Sequence, residues 1–478
     1  MTSTGAETRP PKVRTAWTPA VVVATGVAAA GLGIFLVMVT ERWGAVLAAS
    51  FAAFLVVGLL VVWEIRLVAL LFFLTLPVGL VGLGPLQVVE VMALALVVAG
   101  VVHLTTVGWA RAPRASVIGS LGAVLLAAGL ATVFSEAADL TFRADVLVTS
   151  GVLLTLALTV LADTWPWIYR LLAAVLGGGA LIAAHALATL GSQSASFGGA
   201  VVDNRARGVF SQPNELGMMT AALLVLAVAM LLTARTWLQR TAVAAVVAVT
   251  AAASLMSLSR GSWLGALLGV SALAIMLPPI RRRLAVGAMA VLGATVVLGA
   301  LVGTHPALAV VRARVASLAG PTSNPYDDRP AIYAEAVHQV AERPILGHGP
   351  GVFEEVARAT SGTELAVEAT HAHNLVLTIA TEYGVVGVAA LLALVCTVGV
   401  TTWRAVRRLL DSGAQREAAV CAGLGGSLVA VLGHGLLDFP LRNPTTFLIC
   451  WSLLGLLLAA SARQPAGPGS ATPASGGT

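Results

Sequence analysis

The feature that most constrains this chain is a succession of apolar runs, each about 20 residues long, from Trp17 almost to the C-terminus. A helix needs roughly 20 residues at 1.5 Å each to cross a hydrocarbon layer of about 30 Å. Hydrophobic residues make up 58% of the 478 residues and charged residues 10%, which is more apolar surface than one soluble core can bury. No run alternates with the period of two of a transmembrane β-strand. The sequence therefore predicts an all-α polytopic membrane protein.

Polar breaks divide these runs into about 14 candidate spans, and we expect about 12 to 14 transmembrane helices. The third and fourth spans are the least distinct, because only Gly84 and Pro85 separate them. The candidate spans lie near residues 17–40, 44–63, 67–84, 87–107, 116–134, 145–163, 167–190, 215–234, 241–259, 262–280, 284–304, 372–400, 418–436 and 443–461.

The basic residues predict the orientation of these spans. Threaded through the span order, 17 of the 28 fall on one side, which the positive-inside rule makes cytoplasmic. Both termini are then cytoplasmic, and the net charge of +6 does not indicate a nucleic-acid partner. The 17 residues are Arg9, Lys12, Arg14, Arg66, Arg111, Arg114, Arg170, Arg235, Arg240, Arg281, Arg282, Arg283, Arg404, Arg407, Arg408, Arg416 and Arg463.

The span order predicts five regions. Residues 1–16 form a cytoplasmic tail, 17–304 carry about 11 spans, 305–371 form an extracytoplasmic loop subdomain, 372–461 carry about three spans, and 462–478 form a disordered cytoplasmic tail. Loops as long as the third region are usually functional, and this one contains a helix-like stretch from Pro330 to Ala341.

Four polar clusters interrupt the apolar sequence on the predicted outer side, where polar residues beside a membrane are costly. The first cluster runs from Asp203 to Glu215 and contains Arg205, Arg207 and Asn214. One interpretation is a polar loop in which Asn214 caps the next helix. The other is phosphate binding, because a guanidinium stays charged and binds phosphate oxygens bidentately.

The second cluster is Ser259-Arg260-Gly261, a single arginine within about forty otherwise apolar residues. It can form a short outer hairpin anchored by a snorkelling arginine. Positive charge is not needed at an outer turn for orientation, which favours a second phosphate ligand.

The third cluster is His371-Ala372-His373-Asn374, followed after nine residues by Gly384-Val385-Val386-Gly387. A metal is not favoured, because HxH places the rings on opposite helix faces and no carboxylate cluster completes a ligand shell. A histidine here can cap or pack against a helix. Alternatively it acts as a general base at the lipid–water boundary.

The fourth cluster runs from His434 to Pro444, and its Asp438 and Arg442 either pair within the turn or support a neighbouring site. In the long loop, the position of Arg329 in the sequence is equally compatible with a contact to a ligand and with a contact inside the protein. The stretch from Gly347 to Gly351 lacks the GK[ST] of a nucleotide-binding loop.

Taken together, the two arginine sites indicate a diphosphate and the histidine indicates a hydroxyl to be activated. A substrate that combines a membrane anchor with a diphosphate leaving group is a polyprenyl-pyrophosphate-linked glycan.

At these residues, over roughly 204–458, the sequence resembles the O-antigen ligase and polymerase superfamily of bacterial membrane glycosyltransferases. The stretch from Arg205 to Gly208 with Pro213-Asn214 is similar to the family's R-x-x-G…P-N motif. Ser259-Arg260-Gly261 is similar to its second arginine motif, and the stretch from Pro344 to Gly349 to its loop motif. The strongest match is His373-Asn374-x9-Gly384-x2-Gly387.

The resemblance implies a GT-C-like enzyme of the bacterial inner membrane that moves a glycan from undecaprenyl pyrophosphate to an acceptor hydroxyl at the outer face. It further implies inversion at the anomeric carbon, with neither metal nor cofactor. His373 would position or deprotonate the acceptor, and Arg205 and Arg260 would bind the pyrophosphate, with Arg207 as the alternative to Arg205. The supporting residues would be Asn214, Asn374, Arg329, His371, His434 and Asp438.

Several function classes remain open at this point. A ligase and a polymerase share the donor and differ in the acceptor, which is a lipid, protein or wall component for the first and another carrier-linked glycan for the second. A transporter or flippase should carry charged or broken-helix sites near mid-membrane, whereas these clusters lie at one face. A scaffold needs no chemistry. The expected partners are the lipid-linked donor, the acceptor and membrane lipids, with no nucleic acid.

Overall fold

The computed structural model describes residues 64–83, 86–107, 113–192, 194–197, 200–203, 205–278, 281–282, 329–361 and 371–464. The predicted spans 17–40, 44–63 and 284–304, the loop before residue 329 and the tail from residue 465 lie outside the described residues.

The described chain is helical, which confirms the predicted all-α polytopic fold. Two short antiparallel hairpins, β1–β2 and β3–β4, lie between helices and leave the fold class unchanged. The strands are β1 (Gly82–Leu83), β2 (Leu86–Gln87), β3 (Ser194–Phe197) and β4 (Ala200–Asp203). The helices are α1 (Leu67–Leu74), α2 (Val88–Val107), α3 (Ala115–Val133), α4 (Ala138–Leu161), α5 (Trp165–Ala188), α6 (Pro213–Thr233), α7 (Trp237–Met256), α8 (Arg260–Met276), α9 (Arg329–Glu342), α10 (Phe353–Ser361), α11 (Leu375–Asp411), α12 (Gln415–Gly435) and α13 (Pro444–Ala462).

Among the described residues, nine helices are long and apolar enough to cross a bilayer, namely α2 to α7 and α11 to α13. Helix α8 is apolar but has only 17 residues. The third predicted span, near 67–84, is not one continuous helix. Its helix α1 ends after 8 residues and is followed by a single 3-10 turn at Leu76–Val78, where Pro77 has no backbone N–H to continue the ladder.

Helix α12 lies at the centre of the described bundle and packs on α6, α8, α11 and α13. Its contact with α8 is made through small residues, because Gly261, Gly265 and Gly269 of α8 follow one another every four residues. A Cβ on Gly269 would lie 2.7 Å from the carbonyl oxygen of Gly426, and a Cβ on Gly265 would overlap the carbonyl oxygen of Ala430. Such stripes let helix backbones approach closely in a membrane, where apolar side chains have no driving force to associate.

Successive spans run in opposite directions, so the polar segments that connect them lie alternately at one end of the described bundle and at the other. At one end, Asn374 at the start of α11 donates a hydrogen bond of 2.9 Å to the carbonyl oxygen of Leu436, just after α12. We call this the upper end. At the other, lower end, Arg408 in the last turns of α11 donates a hydrogen bond of 2.7 Å to the carbonyl oxygen of Ser461 in α13.

The described part of the long loop is attached to a kink in α11. Gly384 has φ 62°, so the helix is interrupted there and backbone groups are freed. The N–H of His348 donates to the carbonyl oxygen of Thr381 at 2.9 Å, and the N–H of Val385 donates to that of Pro344 at 2.8 Å. The two glycine-containing motifs, at 344–349 and 384–387, therefore lie against each other, and backbone hydrogen bonds in this region hold the loop on α11.

We predict that Gly265→Ala destabilises the protein by about 1–3 kcal/mol, because the added methyl group forces α8 and α12 apart. Thermal or denaturant unfolding in detergent measures the change. The matched control is Gly177→Ala in α5, where an added Cβ meets no atom within 4 Å. The control should be neutral or slightly stabilising, since alanine is the better helix former. Equal stability of the two variants would contradict the close approach of α8 and α12.

Candidate active site

Asp438 is the centre of the candidate site. It lies in the turn after α12 and is 5% exposed. Its Oδ1 accepts hydrogen bonds from His373 Nδ1 at 2.7 Å, from His371 Nε2 at 3.2 Å and from the N–H of Phe439 at 2.8 Å. Its Oδ2 accepts one from Asn214 Nδ2. One carboxylate thus joins three of the four polar clusters that are separate in the sequence.

The cluster is electrostatically coupled. Burial by itself would raise the pKa of Asp438, but the hydrogen bonds and charges of His371 and His373 hold that pKa well below the ordinary value of 3.8. Burial lowers the pKa of His371 from 6.5, against the opposing effect of its hydrogen bond to Asp438. At neutral pH the site therefore contains a carboxylate and a neutral His371 ring.

The expectation that the two histidine rings point to opposite faces is wrong, because residues 371–374 precede α11 and are not helical. His373 has φ 46°, a left-handed conformation that is uncommon outside glycine and strained. This bend brings the ring centroids of His371 and His373 to 4.3 Å from each other and turns both rings toward Asp438.

The two histidines differ in what they can do. The side chain of His373 is 25% exposed and that of His371 is 14% exposed. When His373 donates its Nδ1–H to Asp438, the nitrogen that remains to accept a proton is Nε2. His371 lies between His373 and Phe439, and the ring centroids of His371 and Phe439 are 6.0 Å apart. The arrangement of His373 and Asp438 is that of a general base oriented by a carboxylate.

A small polar pocket adjoins Asp438, and its lining comes from four segments. Three of its members are arginines, and the described lining is Arg205, Asn214, Ser259, Arg260, Gly261, Arg329, Leu437 and Asp438. Arg205 is 5% exposed and donates from Nε to the carbonyl oxygen of Ser257 at 3.0 Å. Arg260 is the first residue of α8, whose positive N-terminal end also favours an anion. The pocket is chemically suited to phosphate.

Asn214 connects this pocket to the histidines. Its Oδ1 accepts a hydrogen bond of 3.4 Å from Arg205 while its Nδ2 donates to Asp438. The alternative in which Asn214 caps α6 is not what the structure shows. Glu215, which the sequence analysis did not single out, accepts hydrogen bonds from the N–H groups of Ser211 and Gln212 at the start of that helix. Its position three residues after Gln212 is a capping-box spacing and could have identified it.

Two other predicted residues lie to one side of the pocket. Arg207 donates to the carbonyl oxygen of Ser211 in its own turn at 3.4 Å and is not among the lining residues. The alternative pairing of Asp438 with Arg442 does not form, because both oxygens of Asp438 are engaged by histidine and asparagine. Arg442 donates instead to the carbonyl oxygen of Gly351 at 3.4 Å.

His434 and Asn374 hold the backbone of the site. His434 is fully buried and lies against Gly261 of α8, and its carbonyl oxygen accepts a hydrogen bond of 3.2 Å from the N–H of Asp438. Asn374 caps α11, because its Oδ1 accepts hydrogen bonds from the N–H groups of Val376 and Leu377 at 2.9 Å and 3.1 Å.

The same cluster contains the atoms that could ligate a cation. His371 Nε2, His373 Nδ1 and a carboxylate oxygen of Asp438 all lie within 4.8 Å of one another. The fold therefore brings one carboxylate to the histidines, although no carboxylate cluster accompanies them in the sequence. However, Asp438 Oδ1 already accepts three hydrogen bonds, and a metal would have to displace the ring protons that make two of them. The donor set fits a hydrogen-bonded histidine–aspartate cluster better than a metal site.

We predict that acid destabilises the protein partly through His371. Its pKa is lower in the folded protein than the ordinary 6.5, so the unfolded chain binds this proton first and stability falls as the pH drops through about 6.5. One such group contributes at most about 1.4 kcal/mol per pH unit. His371→Gln should therefore show a smaller loss of unfolding free energy between pH 7 and pH 5 than the unmodified protein. His338→Gln, at an exposed histidine of α9, is the matched control, and an equal slope in His371→Gln and the unmodified protein would contradict the assignment.

One comparison with known proteins finds a match. A family model described as O-antigen ligase matches residues 244–392, about a third of the chain. The match contains Arg260, Arg329, His371 and His373, whereas Arg205 and Asp438 lie outside it. No curated protein matches the chain. Residues 244–392 of this polytopic membrane protein are therefore similar to the O-antigen ligase family, and the predicted resemblance to the O-antigen ligase and polymerase superfamily is confirmed.

Proposed function

We propose that this protein is a glycosyltransferase that moves a glycan from undecaprenyl pyrophosphate to an acceptor hydroxyl. The observation that carries the proposal is the position of Asp438, which lines the three-arginine pocket and at the same time binds His373. A site for an anionic leaving group and a general base are thereby held side by side. The O-antigen ligase match supports a lipid-linked glycan as the substrate class.

In this proposal the arginine pocket binds the pyrophosphate of the donor. Charge on the leaving pyrophosphate grows as the bond to the anomeric carbon breaks, and fixed cations stabilise that charge without reorganising. Arg205 and Arg260 are the main ligands, and Arg329 adds a third guanidinium. Arg205 is preferred to Arg207, because only the first lines the pocket.

His373 acts on the acceptor. Its Nε2 takes the proton of the acceptor hydroxyl while the hydroxyl oxygen forms a bond to the anomeric carbon and the carbon–oxygen bond to pyrophosphate breaks. Asp438 stays ionised and stabilises the imidazolium that results. A single displacement of this kind inverts the anomeric configuration. His371 and Asn214 keep Asp438 in place through their hydrogen bonds.

The upper end of the bundle is proposed to face outward from the bacterial inner membrane, with both termini in the cytoplasm. The positive-inside rule supports this, because arginines gather at the lower end of the described spans, among them Arg235, Arg240, Arg404 and Arg407. An apolar groove begins beside the site at Leu375 and Phe439, which suits a donor whose carrier is a polyprenyl chain.

We predict that His373→Gln lowers the rate of transfer from a defined undecaprenyl-pyrophosphate-linked glycan by about 10²- to 10⁴-fold, through loss of the base. Arg205→Gln and Arg260→Gln should each lower the rate by about 10²- to 10³-fold, because each removes one group that stabilises the charge of the leaving pyrophosphate in the transition state.

Asp438→Asn should lower kcat more than it raises KM, because it leaves His373 without its orienting carboxylate. Purified protein and product analysis by gel and mass spectrometry measure all four variants.

The matched control is Arg358→Gln, which removes an exposed arginine of α10 that pairs with Glu354 and Glu355 away from the pocket. It should retain the activity of the unmodified protein. Full activity of Arg205→Gln together with loss in Arg207→Gln would overturn the choice between these arginines. Products still attached to polyprenyl carrier as a ladder would identify a polymerase, and transfer to a lipid, protein or wall acceptor would identify a ligase.

Metal independence is part of the proposal and has its own test. Protein treated with EDTA should retain full transfer activity, because the hydrogen bonds of Asp438 Oδ1 already orient His373. Loss of activity on EDTA treatment, with recovery on adding a divalent cation, would instead show that His371, His373 and Asp438 bind a metal.

A further inference from the structure

Helix α11 is longer than a bilayer requires. After the interruption at Gly384 it continues to Asp411 over 27 residues, about 40 Å, whereas the hydrocarbon layer is about 30 Å thick. At its lower end a surface pocket is lined by one aromatic residue, three arginines, a carboxylate and a hydroxyl: Trp403, Arg404, Arg407, Arg408, Asp411 and Ser412. We call these six residues the lower basic patch.

The arginines of this patch are not equivalent. Arg408 donates hydrogen bonds to the carbonyl oxygens of Ser461 and Arg463, so it ties α11 to the end of α13. Arg404 and Arg407 are exposed and lie three residues apart on one side of the helix. Within the described part of the chain neither forms an ion pair with a carboxylate, and Arg407 stacks on the ring of Trp403 with its Cζ 4.7 Å from the ring centroid.

Trp403 connects the patch to an apolar groove. The groove has a volume of about 440 Å³ and is lined by α11 and its neighbours, from Leu375 near the candidate site down to Trp403. Near Trp403 its walls are Val398 of α11, Leu428 of α12 and Met276 of α8. A cationic surface and an apolar channel therefore meet at one tryptophan, the residue type that prefers the boundary between hydrocarbon and headgroups.

We propose that the lower part of this groove is a binding site for one anionic phospholipid of the lower leaflet. The lipid phosphate lies on Arg404 and Arg407, and the acyl chains follow the groove past Trp403 and Leu428. The occupant follows from charge complementarity, since two exposed guanidiniums beside a hydrocarbon channel match a phosphate joined to acyl chains. The proposal does not rest on the transferase reaction, because the patch and the candidate site lie at opposite ends of α11. The upper part of the same groove, beside Leu375 and Phe439, is the part proposed for the polyprenyl chain of the donor.

The experiment measures phospholipid retained by the purified full-length protein. Protein in detergent is incubated with equal amounts of dioleoyl phosphatidylglycerol and dioleoyl phosphatidylcholine, and bound lipid is counted by native mass spectrometry. The unmodified protein should retain mainly phosphatidylglycerol. The double variant Arg404→Gln, Arg407→Gln should retain about tenfold less or lower, because each basic residue near an anionic headgroup contributes a factor on the order of five.

The matched control removes the same charge from the same end of the bundle. Arg235→Gln, Arg240→Gln acts on two exposed arginines at the connection between α6 and α7, and it should retain phosphatidylglycerol like the unmodified protein. Equal losses in the two double variants would overturn the site, because they would show only general attraction to a basic face. Equal retention of the two lipids by the unmodified protein would also overturn it.

A second pair of variants tests the groove without changing charge. Leu428→Trp fills the groove and should reduce phosphatidylglycerol retention, whereas Leu267→Trp, at an exposed lipid-facing leucine of α8, should not. Unchanged retention in Leu428→Trp would overturn the placement of the acyl chains. Thermal unfolding of each variant establishes that the protein is folded. No donor glycan is needed, so the result does not depend on whether the transferase proposal holds.

Discussion

The candidate site depends on one buried carboxylate. Asp438 is 5% exposed, and a charge in such a position is tolerated only when its hydrogen-bonding capacity is filled. Its four hydrogen bonds come from His371, His373, Asn214 and the backbone of Phe439, so the start of α6, the segment before α11 and the turn after α12 must meet at this point. Removing the carboxylate would leave these donors without their common acceptor.

The helices bring those segments together by two kinds of close backbone contact. Glycines of α8 allow that helix to approach α12, which places Arg260 beside the turn that carries Asp438. The interruption of α11 at Gly384 frees backbone groups that bind the loop at 344–349. In hydrocarbon every backbone group needs a partner, so a broken helix is stable only where another part of the protein supplies one.

Much of this arrangement could be predicted from the sequence, and the parts that could not share a cause. Apolar runs and basic residues predicted that the four polar clusters lie at one end of the bundle, and each cluster contributes a residue to the site or its backbone. The meeting of His371 and His373 at one carboxylate was not predicted, because a helical HxH separates its rings and only the left-handed backbone of His373 brings them together. The choice between Arg205 and Arg207 likewise needed the pocket, since both lie in the same short motif.

The sequence by itself determined that the chain folds in a lipid bilayer, that its fold is helical, and which residue types are available at the site. These follow from local properties, because the length and composition of each apolar run decide whether it crosses a bilayer. Only the tertiary structure decided which polar residues bind one another. Asn214 and Asp438 are 224 residues apart, and no local pattern specifies that they share a hydrogen bond. That contact depends on the packing of α6, α8 and α12, which is a property of surfaces that are assembled from distant parts of the chain.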